Sequence, residues 1–176
     1  MSAEQQAPAV VPFARPPIRK TVLVRRPREI VFDSFVDTIA QWWPVTPFSS
    51  GGDRIVAVTF ERALGGRIYE TWDDGSHREW GIVIDWVPPE RFTMTWNVTA
   101  ISTDVDLTFT AVADELTRVD LVHRGWERLS EAELGEDCAL PGGYRGGSFD
   151  KGWTIILDRF VDHLEGTDPR KGPQDA

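Results

Sequence analysis

The sequence is poor in cysteine, histidine and methionine, and it carries no long apolar run. Its single cysteine, Cys138, has no partner in the chain for a disulfide, so the fold must hold without covalent cross-links, as in a reducing cytosol. With no base near it in sequence, Cys138 reads as an inert loop thiol. The three histidines, His77, His123 and His163, lack metal-ligand spacing. No segment approaches the roughly 18 consecutive apolar residues that a membrane span requires. Basic residues are the minority, 19 Lys and Arg against 28 Asp and Glu for a formal net charge of −9. Because they are also scattered, neither nucleic acid nor an anionic membrane is expected as a partner. A Gly-x-Ser-x-Gly elbow and a Cys/His pair are missing too. The glycine-rich stretch LPGGYRGGSFD (140–150) lacks the fixed Gly and Lys positions of a phosphate loop and reads as a flexible connection long enough to act as a lid. No cofactor and no metal are expected.

Tryptophan, by contrast, is abundant, with eight in 176 residues. Each buries a large area and brings an N–H that wants a partner. The length suits one domain with a real core. The start, MSAEQQAPAVVPFARPP, has neither the basic onset nor the apolar stretch of a signal peptide. It reads as a disordered tail over 1–17, and a second tail spans 166–176. The folded unit is 18–165, and the expected location is cytoplasmic.

Within that unit, 18–25 alternates as a strand. Pro27 then opens a short helix carrying Val31, Phe32, Phe35 and Val36, and a second short helix runs from Ile39 to Trp43 before Pro44 and Pro47. A series of strands comes next, marked by Val56–Phe60, Ile68–Trp72, Trp80–Trp86, Phe92–Trp96, Val105–Ala111 and Val119–His123. Asp73-Asp74-Gly75-Ser76 makes a hairpin turn. Short connections and period-two patterns imply an antiparallel meander. Ser130 and Glu133 form a capping box for a short helix over 131–137. Finally, Trp153, Ile156, Leu157, Phe160, Val161 and Leu164 share one helical face. About a dozen residues make only a marginal helix alone, so this one must lie against the sheet.

The order strand, two helices, six strands, long helix is a helix-grip arrangement. VFDSFVDTIAQWWP (31–44), LGGRIYE (64–70), WVPPERFTMTW (86–96), LVHRGWERL (121–129) and GWTIILDRF (152–160) together resemble the START-like (SRPBCC) superfamily. Within it they resemble the homologues of the activator of the heat-shock-protein-90 ATPase, in the single-domain bacterial form that lacks the co-chaperones' extra N-terminal domain. The resemblance implies an α+β fold, a curved antiparallel sheet gripping the C-terminal helix, with an apolar cavity between the two.

The strand period places Ile68, Glu70 and Trp72 in one inward row, and Trp80, Ile82, Ile84 and Trp86 in another. Phe92, Met94 and Trp96, then Val105, Leu107 and Phe109, then Val119, Leu121 and His123 complete the face. The ligand-binding residues expected from this are Glu70, Trp72, Trp80, Ile82, Trp96, Phe109, His123, Trp153, Ile156 and Phe160. Trp153 and Ile156 belong to the cavity end of the helix, whereas Phe160, Val161 and Leu164 sit toward its core end. No catalytic residue is assigned. Glu70 and His123 break the apolar pattern. Glu70 is either satisfied by an Arg, a Trp N–H or water, with His123 near the sheet margin, or the two orient a ligand or act on it as an acid–base pair. Three functions are compatible with this reading. The first is binding of a small hydrophobic or amphipathic molecule. The others are a cyclase- or aromatase-like activity on a polyketide-type substrate and co-chaperone-like stimulation of a partner ATPase. A homodimer is compatible with each.

Overall fold

The computed structural model describes residues 15–49, 51–136 and 138–166. Of the two expected tails, residues 1–14 and 167–176 lie outside the described residues. The chain begins with β1 (Ile18–Val24), α1 (Arg28–Asp37), α2 (Ile39–Trp42), α3 (Val45–Phe48) and a 3-10 turn (Gly52–Arg54). Six strands come next: β2 (Ile55–Phe60), β3 (Arg67–Trp72), β4 (His77–Val87), β5 (Arg91–Trp96), β6 (Thr103–Ala113) and β7 (Leu116–Arg124). A 3-10 turn (Trp126–Arg128), α4 (Glu131–Glu136) and α5 (Ser148–Gly166) complete the fold.

The strands form one antiparallel sheet in the order β1-β7-β6-β5-β4-β3-β2. Consecutive strands from β2 to β7 pair by hairpins, and β1 closes on β7 with Ile18 opposite His123. With α5 held against β1, α1 and α2, this is the α+β helix-grip fold. The capping box at the start of α4 forms as a reciprocal pair, Ser130 N–H to Glu133 Oε2 (2.7 Å) and Glu133 N–H to Ser130 Oγ (3.2 Å).

α5 is longer than its apolar period implies, spanning 19 residues from Ser148. Asp150, Lys151 and Gly152 interrupt the apolar pattern in its first turns, so periodicity alone starts it at Trp153. Its buried face carries Trp153, Ile156, Leu157, Phe160 and Leu164. Phe160 packs on Phe35 of α1 (ring centroids 5.0 Å) and on Trp42 (4.9 Å). Phe35 in turn meets Phe92 and Phe109 of the sheet. Each such side chain contributes about 1.5–3 kcal/mol on full burial, and this aromatic cluster fills the space between helix and sheet at its lower end.

The middle of β4 departs from strict alternation. Two bulges interrupt its pairing, between Tyr69/Ile68 and Glu79/Gly81 on the β3 side and between Val83/Asp85 and Met94/Thr93 on the β5 side. Each extra residue reverses the facing of the strand beyond it. Trp80 and Val83 are therefore buried, Ile84 is 48% exposed, and Trp86 returns inward against Phe32. Ile82 stands opposite the exposed Arg67 on the outer face. Its expected place in the inward row is thus corrected, along with that of Ile84. A similar bulge turns Val56 outward at 65% exposure.

Candidate ligand-binding cavity

At the other end of α5 the interior is not filled. A cavity of about 300 Å³ opens there between the Trp43–Ser49 segment, β4, β5, β7, the end of α4 with Cys138 and Ala139, and the first turns of α5. Its walls are Trp43, Pro47, Phe48, Trp96, Val98, Phe149, Trp153 and Ile156. Polar side chains are few: Ser49, Arg78, His123, Glu136, Cys138 and Ser148. A mostly apolar hollow with a few convergent polar groups, in the lower part of the usual ligand-pocket size range, is the common form of a small-molecule site.

The tryptophans form a connected frame. Trp43 packs on Trp80 (4.8 Å) and lies 6.0 Å from both Trp96 and Trp153, which are 5.4 Å apart. Phe48 reaches α5 at Gly152, where a Cβ would lie 3.1 Å from the Phe48 ring. The glycine thus permits the close approach of α3 to α5 that forms this wall. Two buried polar atoms of the same segment, Trp43 Nε1 and Ser49 Oγ, have no hydrogen-bond partner among the described residues.

His123 is almost wholly buried, and both ring nitrogens are engaged. Trp153 Nε1 lies 2.9 Å from Nδ1, and Thr103 Oγ1 lies 2.7 Å from Nε2. An indole N–H only donates, so Nδ1 accepts, the ring proton sits on Nε2, and that N–H donates to Thr103. Burial pulls the His123 pKa down to about 3. A second proton on Nδ1 would also set N–H against N–H. The neutral ring stacks on Trp126 at 4.1 Å, whose own N–H donates to the His123 carbonyl (2.8 Å). The chemistry open to His123 is therefore to orient Trp153 in the cavity wall.

Glu70 is fully buried, and its donors among the described residues are three. Trp72 Nε1–H (2.7 Å) and Gly51 N–H (3.1 Å) reach Oε1, and Trp80 Nε1–H (2.9 Å) reaches Oε2. A Cβ at residue 51 would lie 2.5 Å from Trp72 Nε1, so glycine there lets the backbone approach the carboxylate. Glu70 stands behind the wall, fixing Trp80, on which Trp43 leans.

Of the residues expected at the site, Trp96, His123, Trp153 and Ile156 border the cavity. Glu70, Trp72 and Trp80 support it from behind. Phe109 and Phe160 lie instead in the packed aromatic cluster around Phe35, and Ile82 lies on the outer face. Alternation alone did not indicate Trp43, Phe48, Arg78 or Phe149. Trp43 and Phe48 flank Pro44 and Pro47, prolines that the sequence pattern treats as a helix stop. Arg78 is the residue two before Trp80, on the same side as Glu70, its cross-strand partner.

The segments 126–136 and 138–147, which bring Glu136, Cys138 and Ala139 to the cavity, are tied to the start of the described chain. Arg15 donates to Glu131 Oε1 (3.0 Å) and to the carbonyls of Trp126 and Leu129, and Tyr144 Oη donates to the Pro16 carbonyl (2.5 Å). Arg15 and Pro16 are thereby fixed, although the sequence placed them in a tail. Burial raises the Cys138 thiol pKa, which keeps that cavity residue protonated. Among the described residues no cluster of three His, Cys, Asp or Glu side chains is placed to hold a metal. No helix among them is long and apolar enough to cross a membrane.

No curated protein sequence matches this chain. Solved structures do. An anthrahydroquino-γ-pyrone synthase, Txn09, is 27% identical over 84% of this chain and 96% of its own, with a TM-score of 0.52. The self-sacrificing resistance protein CalC from Micromonospora echinospora is 25% identical over 89% and 98%, with a TM-score of 0.61. An AHSA1-like protein from Aeromonas hydrophila, 15% identical over 90% and 99% at a TM-score of 0.56, shares the fold. Residues 25–165 match the family described as activator of Hsp90 ATPase homolog 1-like protein, and the chain belongs to that family.

Proposed function

We propose that the protein binds a small hydrophobic or amphipathic molecule in the cavity between α3, the sheet and α5. The observation that carries this reading is a hollow of about 300 Å³ kept open within a frame of tryptophans. Protein interiors otherwise pack to crystal-like density. The neighbouring Phe35–Phe92–Phe109–Phe160 cluster packs ring against ring, so the chain has the means to fill space. His123 fixes the wall residue Trp153, and Glu70 fixes Trp80, on which Trp43 leans, which lowers the ordering cost of binding.

Native mass spectrometry of the freshly purified chain, followed by tryptophan-fluorescence titration with 2-naphthol, tests the reading. A co-purifying small molecule, or saturable quenching lost on Val98→Trp, supports it. A clean apo mass together with no naphthol response overturns it.

The similarity to Txn09 favours a second reading, a cyclase-like enzyme on a polyketide-type substrate. Such an enzyme would act here by holding its substrate folded in a reactive shape, because His123 has no ring nitrogen to spare for proton transfer. Turnover of a polyketide-type substrate, lost on Val98→Trp, would separate it from simple binding.

A further inference from the structure

We propose that the ligand is a flat aromatic anion whose negative group pairs with Arg78 at the cavity rim. The inference rests on the proposed binding function and specifies what is bound. The side walls are planar: Trp43, Trp96, Trp153 and Phe149 offer ring faces and edges, which suits about two to three fused rings in a pocket of this size. Ring contacts of this kind add about 0.5–1.5 kcal/mol each beyond area burial.

The charge is set by an unmatched donor at the rim. Arg78 projects from β4 on the same face as Glu70 and Trp80 and borders the cavity. Arg54, Arg67 and Arg91, in and beside the same sheet, each grip a carboxylate at 3.1 Å or less. Arg78 has no such ion pair among the described residues. A guanidinium only donates. A carboxylate on the ligand pairs with it, whereas an ammonium is repelled. Glu136, the acidic residue of the lining among the described residues, is exposed at the end of α4 and remains in water. The net charge of −9 opposes an anion only at long range, which salt screens beyond about 8 Å. The guanidinium beside apolar walls acts at contact, where a bidentate carboxylate pair is strongest.

The test compares 2-naphthoate, 2-naphthol and 2-naphthylmethylammonium by fluorescence titration of the intact chain at pH 7, in wild type, Arg78→Gln, Arg78→Lys and Val98→Trp. In wild type, naphthoate binds about tenfold tighter than naphthol, the equivalent of one charge-assisted contact, and the ammonium binds weakest. Arg78→Gln removes the naphthoate advantage and leaves naphthol unchanged, and Arg78→Lys keeps part of it. Arg78 is exposed, so these variants fold, and an unchanged Tm confirms it. If naphthol binds and Val98→Trp abolishes it, but naphthoate binds no better or Arg78→Gln leaves the preference intact, the anion proposal fails while the cavity reading stands. If none of the three binds wild type up to its solubility, both fail.

Discussion

Replacing Glu70 by glutamine tests whether the buried carboxylate serves the ligand or the wall behind it. The substitution keeps the shape. The amide retains one oxygen, best placed at the Oε1 position where it accepts from Trp72 Nε1–H and Gly51 N–H. Its NH2 then faces the Trp80 N–H, donor against donor, at the position of a 2.9 Å bond. The change removes one hydrogen bond to a charged group, about 1.5–3 kcal/mol, and weakens the remaining ones by neutralising their acceptor. Part of the loss is offset because a neutral amide costs less to bury than a carboxylate. A net loss of about 2–3 kcal/mol lowers Tm by about 5–10 °C in a chain of this size. Thermal and urea unfolding read the stability, and naphthol titration at 20 °C, well below the transition, reads the site. Binding should change by less than about threefold. A Tm within 2 °C of wild type with binding weakened tenfold or more would refute the reasoning and place Glu70 in contact with the ligand.

Three other outcomes are expected from the same geometry. The folded His123 pKa lies near 3, below its unfolded value near 6.5, so the unfolded chain binds the extra proton. Its contribution to stability is complete above about pH 6.5 and is lost as pH falls toward 3, at up to about 1.4 kcal/mol per pH unit. Urea unfolding of wild type and His123→Gln between pH 7 and 5 should show a shallower pH slope in the variant, and equal slopes would contradict the buried neutral ring. Gly81→Ala places a Cβ 1.8 Å from the Thr95 carbonyl oxygen, which forces β4 from β5 at the bulge. A loss of about 1–3 kcal/mol or more is expected from such overpacking, and a wild-type Tm would show that the strands part without cost. Phe160→Ala should lose about 3–5 kcal/mol yet leave naphthol affinity unchanged in conditions where it is folded, because Phe160 lies in the closed cluster.

The order of elements and most inward positions were legible because antiparallel strands with one buried face write their burial directly into a period of two. Phe92, Met94, Val105, Leu107, Phe109, Val119 and Leu121 all lie where alternation puts them. Where the period breaks, as in β4, the pattern Trp80, Ile82, Ile84, Trp86 is right at both ends and inverted between them. Two bulges reverse the facing and then restore it, and an apolar residue on either face reads the same. The cavity was less legible. Trp43 and Phe48 flank the segment bounded by Pro44 and Pro47, with no period to read, and only tertiary contact with Gly152 reveals a wall there. Conversely, Phe160 shares its helix face with the cavity residues Trp153 and Ile156 but lies at a different height along it, and Phe109 lies on β6, which lends the cavity no residue. Height is a property of how α1 and α2 fill the lower end, which no single element encodes.

The most direct test of the central claim is a titration of the chain with 2-naphthol, monitored by the indole N–H resonances of its eight tryptophans. The cavity predicts saturable shifts at Trp43, Trp96 and Trp153, little change at Trp42 and Trp86, and loss of all shifts in Val98→Trp. Shifts spread over Trp42 and Trp86, or shifts that survive Val98→Trp, would contradict it.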